Sequence, residues 1–131
     1  MAGDTASVDE RKEEVRAAIN DYLEAVRTWN ADLFRSTFHP DANIMHYYVK
    51  GDAMRVSTLD EFVESIGSLH EKFDNAEEQA LEIDVLLADH IATARVPFRF
   101  VMGDRAMEGQ DLFNLAKIDG RWKIIHKSYY L

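Results

Sequence analysis

The chain has 131 residues, of which 47% are hydrophobic and 30% are charged, and its formal net charge is -9. This length and composition predict one globular domain, 1–131, with enough apolar residues for a core, and the acidic balance argues against a nucleic-acid or anionic membrane partner. The absence of cysteine excludes disulfides and a thiol nucleophile. Residues 1–14 are polar and resemble neither a signal peptide nor a membrane span, so we expect a cytoplasmic protein.

The first helix is predicted to begin near Val8, because Ser7 and Glu10 are spaced as a capping box. Residues 1–6 are expected to be disordered. Apolar side chains recur at helical spacing behind this start and predict a buried stripe, formed by Val15, Ile19, Tyr22, Leu23, Val26 and Trp29.

A second, short helix is predicted over Asp32–Phe38, with Asn30 as its cap. Pro40 should end it, since the residue before a proline disfavours helical geometry. His39-Pro40-Asp41 is therefore expected to be an exit turn.

The middle of the chain predicts a strand pair, a third helix and a further strand. Ala42–Val49 and Ala53–Ser57 flank a turn at Lys50-Gly51-Asp52, and a capping box at Thr58–Glu61 opens the helix. A polar loop is then expected over Glu71–Glu78, followed by a strand over Gln79–Leu87.

The last third predicts three long strands joined by tight turns at Gly103-Asp104 and Asp119-Gly120. The first strand, Ile91–Met102, alternates between apolar and polar residues, and its even-numbered residues should be buried.

Counting from a two-residue turn, which pairs Ile118 with Arg121, predicts the register of the last two strands. Phe113 should then lie opposite His126, Asn114 opposite Ile125, and Leu112 opposite Lys127. One face should line a pocket, with Asn114, Ile125, Lys127 and Tyr129. The other is apolar enough to require a partner and predicts a homodimer interface, with Phe113, Leu115, Trp122, Ile124, His126 and Tyr130. A one-residue bulge would change this assignment.

The order of elements, the Phe38–Ala42 segment after helix two and the Asp119–His126 segment of the last strand resemble the nuclear transport factor 2-like superfamily. Within it the chain is most similar to the SnoaL-like and putative lumazine-binding groups. The resemblance implies an α+β fold in which a cone-shaped, curved and mainly antiparallel sheet packs against three helices, as in cystatin-like proteins. Members include isomerases, dehydratases, epoxide hydrolases, polyketide cyclases and inert binding or assembly modules, so the resemblance specifies a fold more closely than a function.

Ketosteroid isomerases of this superfamily have a tyrosine and a protonated aspartate as oxyanion donors and a carboxylate base. The resemblance places these roles on Tyr22, Asn114 and His46, and only Tyr22 matches in residue type. The two departures argue against steroid isomerisation. They still form a coherent set, because a neutral histidine can accept a proton while a hydroxyl and an amide stabilise an oxyanion.

A pocket for a small hydrophobic or aromatic ligand is therefore expected, with His46, Tyr22 and Asn114 as catalytic residues. The ligand-binding residues are expected to be Trp29, Phe34, Tyr48, Phe98, Phe100, Lys127 and Tyr129. Three interpretations stay open: a cofactor-independent isomerase, dehydratase or cyclase; a non-catalytic binding module; and an assembly domain with a filled pocket. Each polar candidate could also be a core residue with protein partners. No cofactor or metal is expected, since the histidines lack the ligand spacing of zinc sites.

Overall fold

The computed structural model describes residues 7–131, which form three helices and a seven-stranded curved sheet. The helices are α1 (Val8–Thr28), α2 (Ala31–Ser36) and α3 (Leu59–Lys72). The strands are β1 (Phe38–Tyr48), β2 (Ala53–Thr58), β3 (Ala76–Ala80), β4 (Asp84–Ala88), β5 (Ile91–Met102), β6 (Arg105–Ile118) and β7 (Arg121–Tyr130). The predicted α+β class is confirmed. The predicted disorder of residues 1–6 lies outside the described residues.

The helix starts follow the capping residues that the sequence indicates. Ser7 Oγ accepts from the Glu10 N–H at 3.1 Å, and the Asn30 side chain accepts from the Leu33 N–H at 3.0 Å. At α3 the Thr58 capping box is complete, with both reciprocal bonds present. No helix within residues 7–131 is long and apolar enough to cross a membrane.

The strands lie in the order β2-β1-β7-β6-β5-β3, with β4 also on β5, and all pairs are antiparallel except β1 with β7. The single strand predicted over Gln79–Leu87 is wrong, because β3 and β4 are separate strands along one edge of β5. Between them, the Leu81 N–H donates to the Pro97 carbonyl at 2.8 Å. Pro97 has no N–H to return, so the ladder is interrupted there.

The predicted exit turn His39-Pro40-Asp41 is also wrong. Helix α2 ends at Ser36, and these three residues lie within β1, where the pairing with β7 shifts between Phe38 and Asn43. The strand is bulged over this segment. A bulge can accommodate a proline, because the missing N–H is not needed there for a hydrogen bond to the neighbouring strand.

A bulge in β7 changes the predicted register. Ile118 pairs with Arg121 as expected, and the count holds through Leu115 opposite Ile124. Asn114 then pairs with His126, which leaves Ile125 without a partner on β6. The predicted pairs beyond this point are wrong: Phe113 lies opposite Lys127 and Leu112 opposite Ser128. Lys127 therefore shares the face of Phe113, while Asn114 and His126 face the other way.

The core lies between the helices and the face of the sheet that carries Phe113. Its largest fully buried apolar side chains are Tyr22, Phe34, Phe98, Phe113, Ile19, Ile44, Leu115 and Ile124. The predicted dimer interface through Phe113, Leu115, Trp122 and Ile124 is therefore wrong, since α1 and the sheet bury these residues within one chain. The opposite face exposes Tyr47, Leu112 and Tyr130 instead.

Candidate functional site

A largely apolar cavity of about 190 Å³ opens between the helices and the inner face of the sheet. Helix α1 contributes one residue to its wall, α3 three, β5 three, β7 two, and β1 and β3 one each. The lining residues are Tyr22, His46, Phe62, Ile66, Leu69, Glu78, Phe98, Phe100, Met102, Lys127, Tyr129 and Leu131. Apolar walls with few polar groups are typical of small-molecule sites.

Three polar residues of the cavity wall, Tyr22, Glu78 and Lys127, belong to one buried cluster around the Lys127 ammonium. Its Nζ lies 2.6 Å from the Tyr22 hydroxyl, 3.6 Å from Glu78 Oε1 and 3.5 Å from Asp111 Oδ1. The Tyr22 hydroxyl in turn donates to Glu78 Oε1 at 3.0 Å. The side chains of Lys127, Glu78 and Asp111 are no more than 3% exposed, so the cluster is withdrawn from water.

Aromatic rings surround the ammonium group. Lys127 Nζ lies 4.4 Å from the ring centroid of Tyr129, 4.8 Å from Phe62, 5.0 Å from Tyr22 and 5.7 Å from Phe113. Attraction between a cation and a ring is strongest where water is excluded. These contacts partly offset the cost of burying the charge.

Burial and mutual charge determine the proton state of the cluster. Burial alone would lower the pKa of Lys127, but the charges of Asp111 and Glu78 raise it above its ordinary value. Burial raises the pKa of Asp111 well above its usual range, as does the charge of Glu78, against the opposing effect of Lys127. Burial and the same two carboxyl groups raise the pKa of Tyr22. Lys127 is thus charged, and Tyr22 keeps its proton.

The hydrogen bonding of the two carboxyl groups in the cluster is incomplete. Among residues 7–131, Glu78 Oε2 and both Asp111 oxygens are buried without a hydrogen-bond partner. Of these two carboxyl groups, Glu78 lines the cavity.

His46 lies on the cavity wall between two aromatic rings. Its ring centroid is 4.0 Å from that of Tyr48 and 4.4 Å from that of Tyr129, and both pairs are stacked. Burial lowers the pKa of His46, and the charge of Lys127 lowers it further. The imidazole is therefore neutral at pH 7 and can accept a proton.

Most of the predicted site residues meet at this cavity. Those that line it are Tyr22, His46, Phe98, Phe100, Lys127 and Tyr129. Three others do not. Phe34 is fully buried in the core against Tyr22, Trp29 stacks on His70 at 5.7 Å, and Tyr48 borders an outer groove beside His46.

Asn114 is the predicted catalytic residue that the structure places elsewhere. Its side chain is exposed on the outer face of the sheet, where its Oδ1 accepts from the Thr93 hydroxyl at 3.1 Å. The prediction put Asn114 on the face of Lys127, and the bulge at Ile125 separates the two. Asn114 cannot act as an oxyanion donor in this cavity.

Sequence reasoning missed Glu78 and Asp111. Both occupy inward positions of alternating strands, Glu78 in Ala76–Ala80 and Asp111 two residues before Phe113. A carboxyl group at an inward position of an alternating strand could have indicated the cluster, because a buried charge rarely occurs without a partner. Among the described residues, no group of three or more potential ligands could hold a metal ion.

The fold has many known counterparts. An NTF2-like protein of unknown function from Shewanella baltica superposes with a TM-score of 0.76 at 19% identity, covering 95% of this chain and 96% of that one. Another from Methylobacillus flagellatus has a TM-score of 0.69 at 26% identity, with 97% and 95% covered. A structure described as a putative ketosteroid isomerase from Shewanella frigidimarina has a TM-score of 0.69 at 17% identity, with 88% and 94% covered.

No functionally curated protein shows a significant match to the chain. The sequence model of one family does match, over residues 10–130, and its description is "Putative lumazine-binding". Since this match spans nearly the whole chain, the protein belongs to the putative lumazine-binding family, within the nuclear transport factor 2-like fold.

Proposed function

We propose that the cavity binds a small, flat heteroaromatic ligand of the kind that the family description names. The observation that carries this proposal is an apolar cavity whose polar groups are concentrated in the buried cluster of Lys127, Glu78 and Tyr22. Apolar walls suit the faces of a planar ring system, and a few convergent polar groups fix its orientation. Aromatic side chains such as Tyr129 and Phe98 supply flat contact area.

Calorimetric titration with lumazine tests the proposal. Binding of one equivalent is expected, and a bulky substitution in the wall, Ile66→Phe, should weaken it at least tenfold by occupying the space. Leu86→Phe is the matched control, because Leu86 is 71% exposed and does not line the cavity. Failure of lumazine to bind, or equal effects of both substitutions, would count against a ligand site here.

A second candidate is cofactor-independent proton transfer, such as isomerisation, dehydration or cyclisation. The observation that favours it is a neutral, oriented His46 in the same cavity as the charged Lys127. In this scheme His46 takes a proton from the ligand, and the ammonium stabilises the negative charge that develops. The Tyr22 proton is already donated to Glu78, so Tyr22 has a lesser role than the resemblance implies.

Turnover of a bound ligand would distinguish the two candidates. With a substrate identified, His46→Ala should lower the rate about a hundredfold or more while binding is retained. A ligand that binds to the wild type and is never converted would leave the binding module as the function.

We also propose that a second copy of the chain covers the outer face of the sheet. Adjacent strands contribute a contiguous, partly apolar surface there, with Met45, Tyr47, Arg95, Gln110, Leu112, Ser128, Tyr129 and Tyr130 around one shallow groove. Exposed apolar surface of this kind is typical of a self-association site. Sedimentation should therefore show a dimer at micromolar concentration, and a monomer at high micromolar concentration would contradict it.

A further inference from the structure

We propose that the ligand of the cavity carries an apolar arm, which leaves the cavity between His46 and Leu131 and lies in a groove at its mouth. This inference rests on the proposed binding function and specifies a second part of the ligand besides its ring system. The mouth groove has a volume of about 450 Å³, and its lining residues are His46, Tyr48, Val49, Lys50, Tyr130 and Leu131.

The cavity opens toward the ends of β1 and β7, which lie side by side and run parallel. Exposure rises along the inner face of both strands. It increases from 2% at Lys127 to 37% at Leu131, directly after β7, and from 1% at Ile44 to 41% at Tyr48 on β1. The buried cluster around Lys127 lies at the opposite end of the cavity. A ligand that is longer than its ring system therefore extends toward this opening.

The mouth groove is continuous with the cavity. His46 and Leu131 line both spaces, so a ligand atom that passes these two side chains moves from one space into the other. Stacking on Tyr48 and Tyr129, with ring centroids 4.0 and 4.4 Å away, holds the His46 ring at this boundary. The imidazole is thus a fixed part of the wall along which the arm passes.

The chemistry of the mouth groove is mostly apolar. Among its described lining residues, only the side chain of Lys50 is charged at pH 7, and its long stem can lie along apolar surface while the ammonium stays in water. Exposed apolar surface of this kind often marks a binding groove. The groove therefore favours a hydrocarbon arm over a hydroxylated one. Four of its six lining residues are large hydrophobic side chains with exposed fractions from 37% to 57%, namely Tyr48, Val49, Tyr130 and Leu131.

Calorimetry on the wild-type protein tests the inference with lumazine, 6-pentyllumazine, 7-pentyllumazine and a counterpart of the tighter isomer whose arm carries hydroxyl groups. The tighter pentyl isomer should bind about tenfold or more above lumazine, because removal of about two methylene groups from water is enough for that gain. The hydroxylated arm should bind within about threefold of lumazine, since its polar groups lose water. No gain from either pentyl isomer, or an equal gain from the hydroxylated arm, would overturn the inference and leave ligand binding intact. No binding by any probe would overturn the proposed function and the inference together.

Two matched substitutions locate the arm. Val49→Asp places a charge in the mouth groove and should remove most of the pentyl gain. It should leave the affinity for lumazine unchanged, because Val49 does not line the cavity. Val56→Asp is the control and should keep the full gain, since Val56 is 55% exposed against 57% for Val49 and lines neither space. A full gain in Val49→Asp would place the arm elsewhere and overturn the inference.

Methyl NMR on the wild type makes the same test without a substitution. The Val49 methyl resonances should shift with the tighter pentyl probe and stay in place with lumazine, and no shift with either would contradict the inference. Sedimentation of Val49→Asp tests a second copy of the chain as the occupant. If this variant dissociates a wild-type dimer and the pentyl arm gives no gain, a second copy occupies the groove and the inference is wrong.

Discussion

The Lys127 ammonium lies 2.6 Å from the Tyr22 hydroxyl, although the two residues are 105 positions apart in the chain. This contact joins the last strand to the first helix at the polar end of the cavity. The polar groups of the candidate site therefore reach their positions when the complete sheet packs against α1, and the geometry of the site depends on the stability of the whole fold.

Removal of the central cation should destabilise the protein. Lys127→Met leaves two buried carboxyl groups without their counter-charge, and we expect the free energy of unfolding at pH 7 to fall by about 3–5 kcal/mol. The loss should be smaller at pH 5, because protons can neutralise the charge left behind. Urea denaturation at both pH values measures it. Lys50→Met, in an exposed turn, should change stability by about 0.5 kcal/mol or less, and an equally small effect at Lys127 would contradict this account.

Asp111 should make stability depend on pH in a specific direction. Burial, with the charge of Glu78, raises the pKa of Asp111 in the folded state above its unfolded value. The folded protein then holds a proton that the unfolded chain has lost, so this contribution is complete below about pH 4 and disappears as pH rises through the folded pKa.

Asp111→Asn removes that titration and should flatten the dependence of stability on pH between pH 4 and 8. Urea midpoints of the wild type and the variant across this range provide the measurement. The variant should lose more stability relative to the wild type at pH 4 than at pH 8. The opposite trend would show that Asp111 is ionised in the folded protein.

His46 should titrate below the usual histidine range. Burial and the charge of Lys127 both lower the pKa of His46, so removal of the charge in Lys127→Met should raise it. NMR titration of the imidazole resonances in both proteins measures the shift. Lys12→Met should leave the His46 titration unchanged. An identical His46 pKa in wild type and Lys127→Met would show that the ammonium does not act on the ring.

The register of β6 can be tested with two neighbouring substitutions. Phe113 is fully buried and Leu112 is 50% exposed on the outer face. Phe113→Glu should unfold the protein, because the core cannot hold an unpaired charge. Leu112→Glu should leave the fold intact and dissociate the proposed dimer. Circular dichroism and sedimentation separate the two outcomes, and a folded Phe113→Glu protein would contradict the burial of Phe113 in the core.

Gly109 should not tolerate a side chain. A Cβ added there would lie 1.9 Å from the Tyr130 carbonyl oxygen, so Gly109→Ala should displace the end of β7 and lower stability by about 1–3 kcal/mol. Ligand affinity should fall as well, because Tyr129 and Leu131 line the cavity. Gly67→Ala is the matched control: its Cβ would meet Trp29 at an ordinary 3.5 Å, and alanine in a helix should stabilise by up to about 1 kcal/mol. Thermal unfolding compares the two.

The sequence predicted the elements well where local signals determine them. Caps at Asn30 and Thr58 and the turn at Asp119-Gly120 act over a few residues, and all three lie where expected. The position of Lys127 in the cavity was also predicted, together with Tyr22 and Tyr129 beside it, but its partners Glu78 and Asp111 were not. A count of residues from a turn cannot detect a bulge, because the count assumes that every residue of β7 has a partner on β6, and Ile125 has none.

The carboxyl groups of the cluster were harder to predict for another reason. Glu78 stands among acidic and amide residues in Ala76–Ala80, a segment whose composition resembles a loop. Its burial follows from pairing with β5 and from the distant Lys127, and neither is visible in the neighbouring sequence.

Ile125, which has no partner on β6, determines which side chains in the last part of β7 face the cavity. Before it, the even-numbered Trp122 and Ile124 are buried; after it, the odd-numbered Lys127 and Tyr129 line the cavity. Deletion of Ile125 would remove the bulge and keep Lys127 inward, whereas regular pairing of every residue in this strand would turn the ammonium toward the outer surface and direct His126 inward. Loss of this bulge at constant strand length is therefore a route by which related chains could exchange the side chains of their cavity for those of their outer surface in one step.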